Sequence, residues 1–441
     1  ITLTSLTTAV GFFSLTFSES PPFAHLGIIS GIGVLYAWLL SLTLLPALLV
    51  LLPWKARREA MLLPDSGWQA LHAFIARRPG TIVATALTLG IASAGFAFTN
   101  VLDDRYVEYF DERFEFRQAT DYLNEHVGGF YTLEYSLDSG TPDGIAQNEY
   151  LRQVDALAGW LRGQPEVTHV AALSDIMRTV NRGMNGGQEE AYVLPSDSSR
   201  AAQYLMLYEM SLPVGLDLRE QVTADKSASR MTVGLENLST NEVLALVDRA
   251  GAWMSDNAPA LAEATAATGT TVLFSHIGQR NIEQMLVGTF LALSAISLLL
   301  FFAFGSAVLG SAGIATNLVP PLASLGGWAL VVGEVGMAVA TIAAVTLGIV
   351  VDDTIHFIEA ARQARRRGLN ASDAVLQAMQ KAGPGILGTT VVLAVGFACL
   401  ALSGFQINAW MGLMTAIVIC VAFVFDMLFL PALLIYMRNW K

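Results

Sequence analysis

Two adjacent carboxylates and an imidazole sit inside a segment apolar enough to cross a membrane. The run Gly348-Ile349-Val350-Val351-Asp352-Asp353-Thr354-Ile355-His356 ends an uncharged stretch that begins near Gly336. A charge near the bilayer centre costs about 2.5–3.5 kcal/mol on insertion scales. Such groups are kept where they meet water, an ion or one another, and movement of an ion or proton is the usual reason. Asp352 and His356 are four residues apart and share a helix face; Asp353 and His356 are three apart. Neighbouring carboxylates in a poorly hydrated site do not both ionise readily, so one of the pair is suited to take up a proton. A polar patch that only fixes helix packing is the competing reading. Against it, no Lys or Arg falls inside any expected span to neutralise the pair. His356 lies near the end of its span, where a solvated histidine with no role is the alternative.

Composition agrees with a membrane chain. Of 441 residues, 54% are hydrophobic and 14% charged, and the mean hydropathy is +0.51; soluble domains carry about 25% charged residues. The net charge of −12 is uneven. Residues 100–280 hold 27 acids and 13 Lys or Arg, a net of −14, so the remainder is +2. An acidic soluble domain is thus set within a slightly basic membrane part. Cys399 and Cys420 stand apart in apolar spans and read as small packing residues, with no disulfide framework and no metal site.

Hydropathy predicts spans at 24–52, 81–99, 283–304, 308–332, 336–359, 384–403 and 408–436, with 1–18 as an eighth. Basic clusters mark Lys55, Arg57, Arg58, Arg77 and Arg78, then Arg362, Arg365, Arg366, Arg367 and Lys381, then Arg438 and Lys441. Placing all three clusters in the cytoplasm gives a consistent count of crossings, with the acidic domain outside. The expected divisions are a helix pair at 1–53, a cytoplasmic linker at 54–80, a span at 81–99, an extracytoplasmic α+β domain at 100–281, a five-helix part at 282–437 and a cytoplasmic tail at 438–441.

The chain repeats itself at an offset of 385 residues. Leu45-Pro46-Ala47-Leu48-Leu49 matches Leu430-Pro431-Ala432-Leu433-Leu434, and Ala9-Val10-Gly11-Phe12 matches Ala394-Val395-Gly396-Phe397. Thr4 meets Thr389, Leu15 meets Leu400, Gly27 meets Gly412 and Ala37 meets Ala422 without a gap. Residues 1–52 therefore read as a second copy of 386–437, and repeated helical halves are a mark of secondary transporters. The first copy opens at Ile1 with no Met, so the chain is expected to be the C-terminal part of a longer protein. A counterpart of Asp352 would then lie about 33 residues before Ile1.

The duplicated plan, the Gly-x-x-x-Asp-Asp-x-x-x-His segment and the Leu-Pro-Ala-Leu-Leu helix ends resemble the resistance–nodulation–division (RND) superfamily. The nearest branch is similar to the MMPL-type lipid exporters, which include hopanoid transporters and are related to Patched and sterol-sensing proteins. The resemblance implies a polytopic α-helical membrane protein with eight of twelve spans present and one ferredoxin-like porter domain. It also implies an ionisable relay on the 336–359 helix, carried by Asp352, Asp353 and His356, and a hydroxyl from the following helix beside it. Thr389 and Thr390 are the candidates for that hydroxyl; ordinary back-bonding to their own helix is the alternative. Asp426 is a third carboxylate, alone in the last span. Its repeat partner is Ser41, so the duplication does not demand it, and a functional role and a helix–helix hydrogen bond stand open. Asn317 with Pro320-Pro321 suggests a kinked helix.

The acidic domain reads as strand 130–137, helix 145–161, strand 167–173, strand 229–235, helix 242–254 and strand 271–276, an order that fits a ferredoxin-like split unit. Residues 175–228 form an insertion with a helix at 198–209. There Tyr204, Leu205 and Tyr208 are candidates for a substrate path, with a packed surface helix as the plainer reading.

No Cys/His cluster, Gly-x-Ser-x-Gly or Gly-x-x-x-x-Gly-Lys-Ser/Thr is present in the sequence. The expectation is a non-enzyme without cofactor or nucleic-acid partner, residing in the bacterial inner membrane. It would export hydrophobic or lipid-like molecules on a proton gradient. Na⁺ coupling, or a sterol-sensing-like receptor or scaffold that pumps nothing, are the alternatives. Membrane lipids, a homo-oligomer and a periplasmic carrier complete the expected partners.

Overall fold

The computed structural model describes residues 1–52, 63–126, 128–213, 218–262, 265–438 and 440. Lys55, Arg57, Arg58 and Lys441 of the basic clusters lie outside the described residues. The chain forms two compact units, one of residues 1–103 and 278–441 and one of residues 104–277.

The first unit is helical. It opens with α1 (Thr2–Phe13), α2 (Pro21–Leu42), α3 (Leu44–Leu51), α4 (Asp65–Arg77) and α5 (Pro79–Ala97). In the second unit follow α6 (Glu115–His126), β1 (Tyr131–Asp138), α7 (Asn148–Arg162), β2 (Val167–Ala171), α8 (Leu173–Met184) and α9 (Ser198–Ser211). That unit continues with β3 (Ala228–Leu235), α10 (Thr240–Asn257), α11 (Pro259–Ala262) and β4 (Ala267–Thr268). Helix α12 (Thr270–Phe304) starts there and belongs to the first unit from Gly278 on. Then come α13 (Ala307–Val331), α14 (Met337–Arg366), α15 (Ala371–Leu400), α16 (Gln406–Val424), a π turn (Phe425–Phe429) and α17 (Leu430–Met437).

Among the described residues, seven helical segments are long and apolar enough to cross a membrane: Pro21–Leu51, Pro79–Ala97, Thr270–Phe304, Ala307–Val331, Met337–Arg366, Ala371–Leu400 and Gln406–Met437. The apolar segment Thr2–Phe17 is shorter. Helix α14 is the most deeply enclosed of the seven. The start of one expected span moves. Helix α15 begins at Ala371, not near residue 384, because residues 371–383 form an amphipathic helix rather than a loop. Asn370 caps it, accepting from the Asp373 amide at 2.9 Å, while Ala374, Val375, Ala378 and Met379 are buried. Cys399 and Cys420 are exposed, contrary to their expected packing role, because they fall on outward faces of their helices.

The sequence repeat is a repeat of contacts. A Cβ built on Gly27 would stand 2.6 Å from the Phe12 carbonyl oxygen and 2.8 Å from Leu15 Cβ. A Cβ on Gly412 would stand 2.5 Å from the Phe397 carbonyl oxygen and overlap Leu400 Cβ. These are the same three positions in each copy, so α1 meets α2 as α15 meets α16, through a glycine that lets backbones touch. Thr4 donates to the Ile1 carbonyl at 2.8 Å, and its counterpart Thr389 to the Ile386 carbonyl at 2.9 Å. Each copy is also interrupted at one place. Prolines 46 and 431 lack the N–H that would bond four residues back; the first copy breaks at Thr43 and the second takes up the π turn.

Other helices are fixed to α14 and its neighbours by close approaches. Thr8 of α1 donates to the Gly348 carbonyl at 2.9 Å, and a Cβ on Gly348 would meet Thr8 Cα at 3.0 Å. Buried Asn281 of α12 accepts from the Ser18 hydroxyl at 2.8 Å and the Ser20 amide at 3.0 Å.

The second unit holds a four-stranded antiparallel sheet in the order β2-β3-β1-β4. Tyr131, Leu133, Tyr135 and Leu137 alternate into the core, where they meet Leu151, Val154, Leu157 and Leu161 of α7 and Val243, Leu246, Ala250 and Met254 of α10. The start of α10 is a capping box of Ser239 and Glu242. The expected strand at 271–276 is not one. Thr271–His276 is the opening of α12, and the fourth strand is only Ala267–Thr268. Its β-branched and aromatic residues suit a strand locally, but they continue into a long apolar helix.

Replacing Gly27 or Gly412 with Leu is expected to destabilise the protein by about 1–3 kcal/mol each. Leu at Gly33, where an added Cβ meets nothing within 4 Å, is expected to be near neutral. Thermal unfolding of purified protein in detergent checks this; equal midpoints for all three variants would refute the close-approach account.

Candidate ion-coupling site

The helical period places Asp352, His356, Glu359 and Gln363 on one face of α14. With Asp353, they line a cavity of about 440 Å³ whose other wall is α15, from Lys381 through Gly385 and Ile386 to Thr389. The two acids and the histidine identified from the sequence therefore do converge. His356 Nε2 lies 3.5 Å from Asp352 Oδ1, and the two side chains are 52% and 43% exposed to the cavity and its mouth. Asp353 lies beside the Thr389 hydroxyl and the Asp352 charge.

Of the two candidate hydroxyls, only Thr389 lines this cavity. Thr390 is buried on another face and donates to the Ile386 carbonyl at 2.7 Å. Lys381, which the sequence marks only as part of a basic cluster between two spans, is a further residue of the site. The early start of α15 brings it onto the cavity wall, where its Nζ donates to Gln363 Oε1 at 2.9 Å. The expectation that no Lys or Arg falls inside a span is corrected to that extent, since Lys381 lies within Ala371–Leu400. The cavity thus grades from a Lys–Gln–Glu end to an acidic and hydroxyl-bearing end. Gly385 lies between them, and an added Cβ there meets nothing within 4 Å.

The opposite side of α14 holds a second, fully buried polar group. Thr354 Oγ1 lies 2.6 Å from Asp426 Oδ1 and 2.9 Å from Asn317 Oδ1. All three residues are at most 2% exposed. Asp426 sits in the π turn, the kind of helix irregularity that recurs at functional sites. Among the described residues, no group of three or more His, Cys, Asp or Glu is placed to hold a metal ion.

In the second unit, Leu205 belongs to the core, and Tyr204 and Tyr208 pack against it. The outward apolar residues of α9 are Met206, Leu207 and Met210, which are 61%, 43% and 74% exposed.

The family model described as the MMPL family matches residues 1–82 and 145–441. A curated membrane protein of Methanocaldococcus jannaschii is 26% identical over 169 residues, which cover 38% of this chain and 44% of that protein. Among solved structures, the hedgehog release protein Disp of the water bear Hypsibius dujardini superposes with a TM-score of 0.66 at 14% identity. The match covers 99% of this chain and 58% of that one. SecDF of Thermus thermophilus, a translocon-associated membrane protein, gives a TM-score of 0.50 at 14% identity over 99% of this chain and 48% of that one. The chain thus spans about half the length of the relatives it matches, and these likenesses show an RND-type fold in a multi-pass membrane protein.

With Cys399 and Cys420 replaced by Ala, a cysteine at Gly385 is expected to react with a small hydrophilic thiol reagent at least about tenfold faster than one at Thr390, because thiol reactivity follows access. Equal labelling rates in membranes would show that the cavity is closed to water.

Proposed function

Because the chain belongs to the MMPL family, we propose that it serves an ion-gradient-driven exporter of hydrophobic or lipid-like molecules in a bacterial inner membrane, with the proton as the coupling ion. The observation that carries this reading is the placement of Asp352 and Asp353. They stand on the most enclosed helix and yet face a polar cavity lined by His356, Thr389 and Lys381. An acid in that setting can hold a proton from one side and release it when the helices around it rearrange. His356, next to Asp352, is suited to pass a proton at the mouth of the cavity. The basic ends of α14 and α17 support a cytoplasmic C-terminus, with residues 100–281 in the periplasm.

The order β1-α7-β2, then β3-α10-β4 after the inserted α8 and α9, and the strand order β2-β3-β1-β4 support a ferredoxin-like porter reading of the second unit. On that reading α9 borders the substrate path. Tyr204, Leu205 and Tyr208 hold the helix in place, and Met206, Leu207 and Met210 offer the apolar surface. An acyl chain needs such a surface, since exposing it to water costs about 0.8 kcal/mol per CH₂.

Oxygen ligands from two carboxylates and a threonine also suit Na⁺. Efflux in proteoliposomes at fixed membrane potential, with the pH or Na⁺ gradient collapsed in turn, separates the two. Absence of efflux under either gradient would leave a lipid receptor or scaffold. Asp352→Asn and Asp353→Asn are each expected to abolish gradient-driven efflux while insertion and thermal stability stay near wild type. Normal efflux by both variants would exclude the pair as the coupling site. Photo-crosslinkers at Met206 and Met210 are expected to capture lipid in active membranes, and less of it in the Asp352→Asn background. Capture of protein alone in both backgrounds would remove α9 from the path.

A further inference from the structure

The hydrogen bonds around Asp426 do not balance unless one more proton is present. Thr354 has a single hydroxyl hydrogen but two acceptors, Asp426 Oδ1 at 2.6 Å and Asn317 Oδ1 at 2.9 Å. The orientation of Asn317 is fixed by its other end, where Nδ2 donates to the Gly313 carbonyl at 2.8 Å; the flipped amide would set two acceptor oxygens against each other. Asp426 Oδ2 is buried without a hydrogen-bond partner. An anionic carboxylate there would leave a bare charged oxygen in an apolar core, which is far more costly than a neutral carboxyl.

We propose that Asp426 is a second proton-carrying group, holding its proton on Oδ1 and exchanging it with Asp353 during the transport cycle. The chain of donors then runs one way: Asp426 Oδ1–H to Thr354 Oγ1, Thr354 Oγ1–H to Asn317 Oδ1, and Asn317 Nδ2–H to the Gly313 carbonyl. Each donor in this chain has its acceptor, and the oxygen left without a partner, Asp426 Oδ2, then belongs to a neutral carboxyl. When the Asp426 O–H bond breaks, Thr354 turns its hydrogen to the new carboxylate and Asn317 Oδ1 loses its donor. Release is therefore tied to a change at Thr354, the residue next to Asp353 on α14. Passing the proton to the Asp353 carboxylate keeps the total charge of Asp353 and Asp426 unchanged but moves the negative charge onto Asp426, so the exchange needs a rearrangement around Thr354 that gives the freed carboxylate a partner.

The surroundings favour this exchange. The helices packed against the π turn are α5, α13, α14, α16 and α17. Of these, α5, α13 and α16 contain no Asp, Glu, His, Lys or Arg, and α17 has only Tyr436 as a titratable group. Helix α14 brings Asp353, the acid whose charge reaches Asp426. Its other ionisable groups Asp352, His356 and Glu359 face the cavity, and Arg362, Arg365 and Arg366 lie toward its end.

Infrared difference spectroscopy of the whole protein in lipid at neutral pH tests the proton directly. A protonated-carboxyl C=O band is expected that shifts in D₂O, disappears in Asp426→Asn and changes frequency in Thr354→Val. Absence of such a band overturns the proposal, as does a band that appears only on removal of Na⁺, since the site would then hold that ion. The exchange rests on the proton-coupled reading above and has its own arm. Asp426→Asn is expected to lose proton-driven efflux. Thr354→Val is expected to lower it by about tenfold, or about 1.4 kcal/mol, with a shifted pH profile that Thr354→Ser restores. Wild-type rate and pH profile in Asp426→Asn would make the proton merely structural and refute the proposal. A wild-type protein that shows the band but no gradient-driven efflux would refute the coupling reading instead, leaving the protonated Asp426 in place.

Discussion

The cost of holding carboxylates inside an apolar helix bundle governs the organisation of the membrane unit. Helix α14 carries Asp352 and Asp353 on one side and Thr354, bonded to Asp426, on another. Each side needs a partner for its charge or its hydrogen bonds. The first side finds it in a cavity with histidine, threonine and lysine on its walls; the second finds it in a closed chain of side chains. The remaining surface of α14 is held by tight packing, as where Thr8 meets the backbone at Gly348. A helix clamped on its apolar surface and polar on the rest can report a change in charge as a change in packing.

Much of this was legible because membrane insertion leaves few choices. A run of about twenty apolar residues has to be helical, so the spans and the acid-bearing helix followed from hydropathy. The strands of the acidic domain followed from alternation, as Tyr131, Leu133, Tyr135 and Leu137 show. What failed were segments whose local signal opposes their context. Residues 371–383 are too polar for a hydropathy window, yet Ala374, Val375, Ala378 and Met379 give them a buried face. Missing that helix hid Lys381. Residues 271–276 look like a strand alone, and only the long helix they enter decides their conformation.

The polar cluster around Asp426 was hidden for a different reason. Asp426 and Asn317 each stood out as a polar residue in an apolar span, but nothing local shows that residues 37 and 72 positions from Thr354 meet at its hydroxyl. Thr354 itself draws no notice in sequence, because a threonine in a membrane helix ordinarily bonds back to its own carbonyls. Thr316 and Thr346 do that here.

The internal repeat bears on why Asp426 is there at all. Both copies join their paired helices through the same glycine, the same carbonyl and the same leucine. Both interrupt the second helix shortly before a proline, at Thr43 in one and at the π turn in the other. The first copy builds this geometry with Ser41 in the place of Asp426, so a carboxylate is not required for the helix pair, the interruption or the turn. A buried acid with one unpartnered oxygen costs stability, and the architecture would stand without it. Packing therefore does not account for Asp426. Its position beside Thr354, one residue from Asp353, links it instead to the ionisable pair on α14.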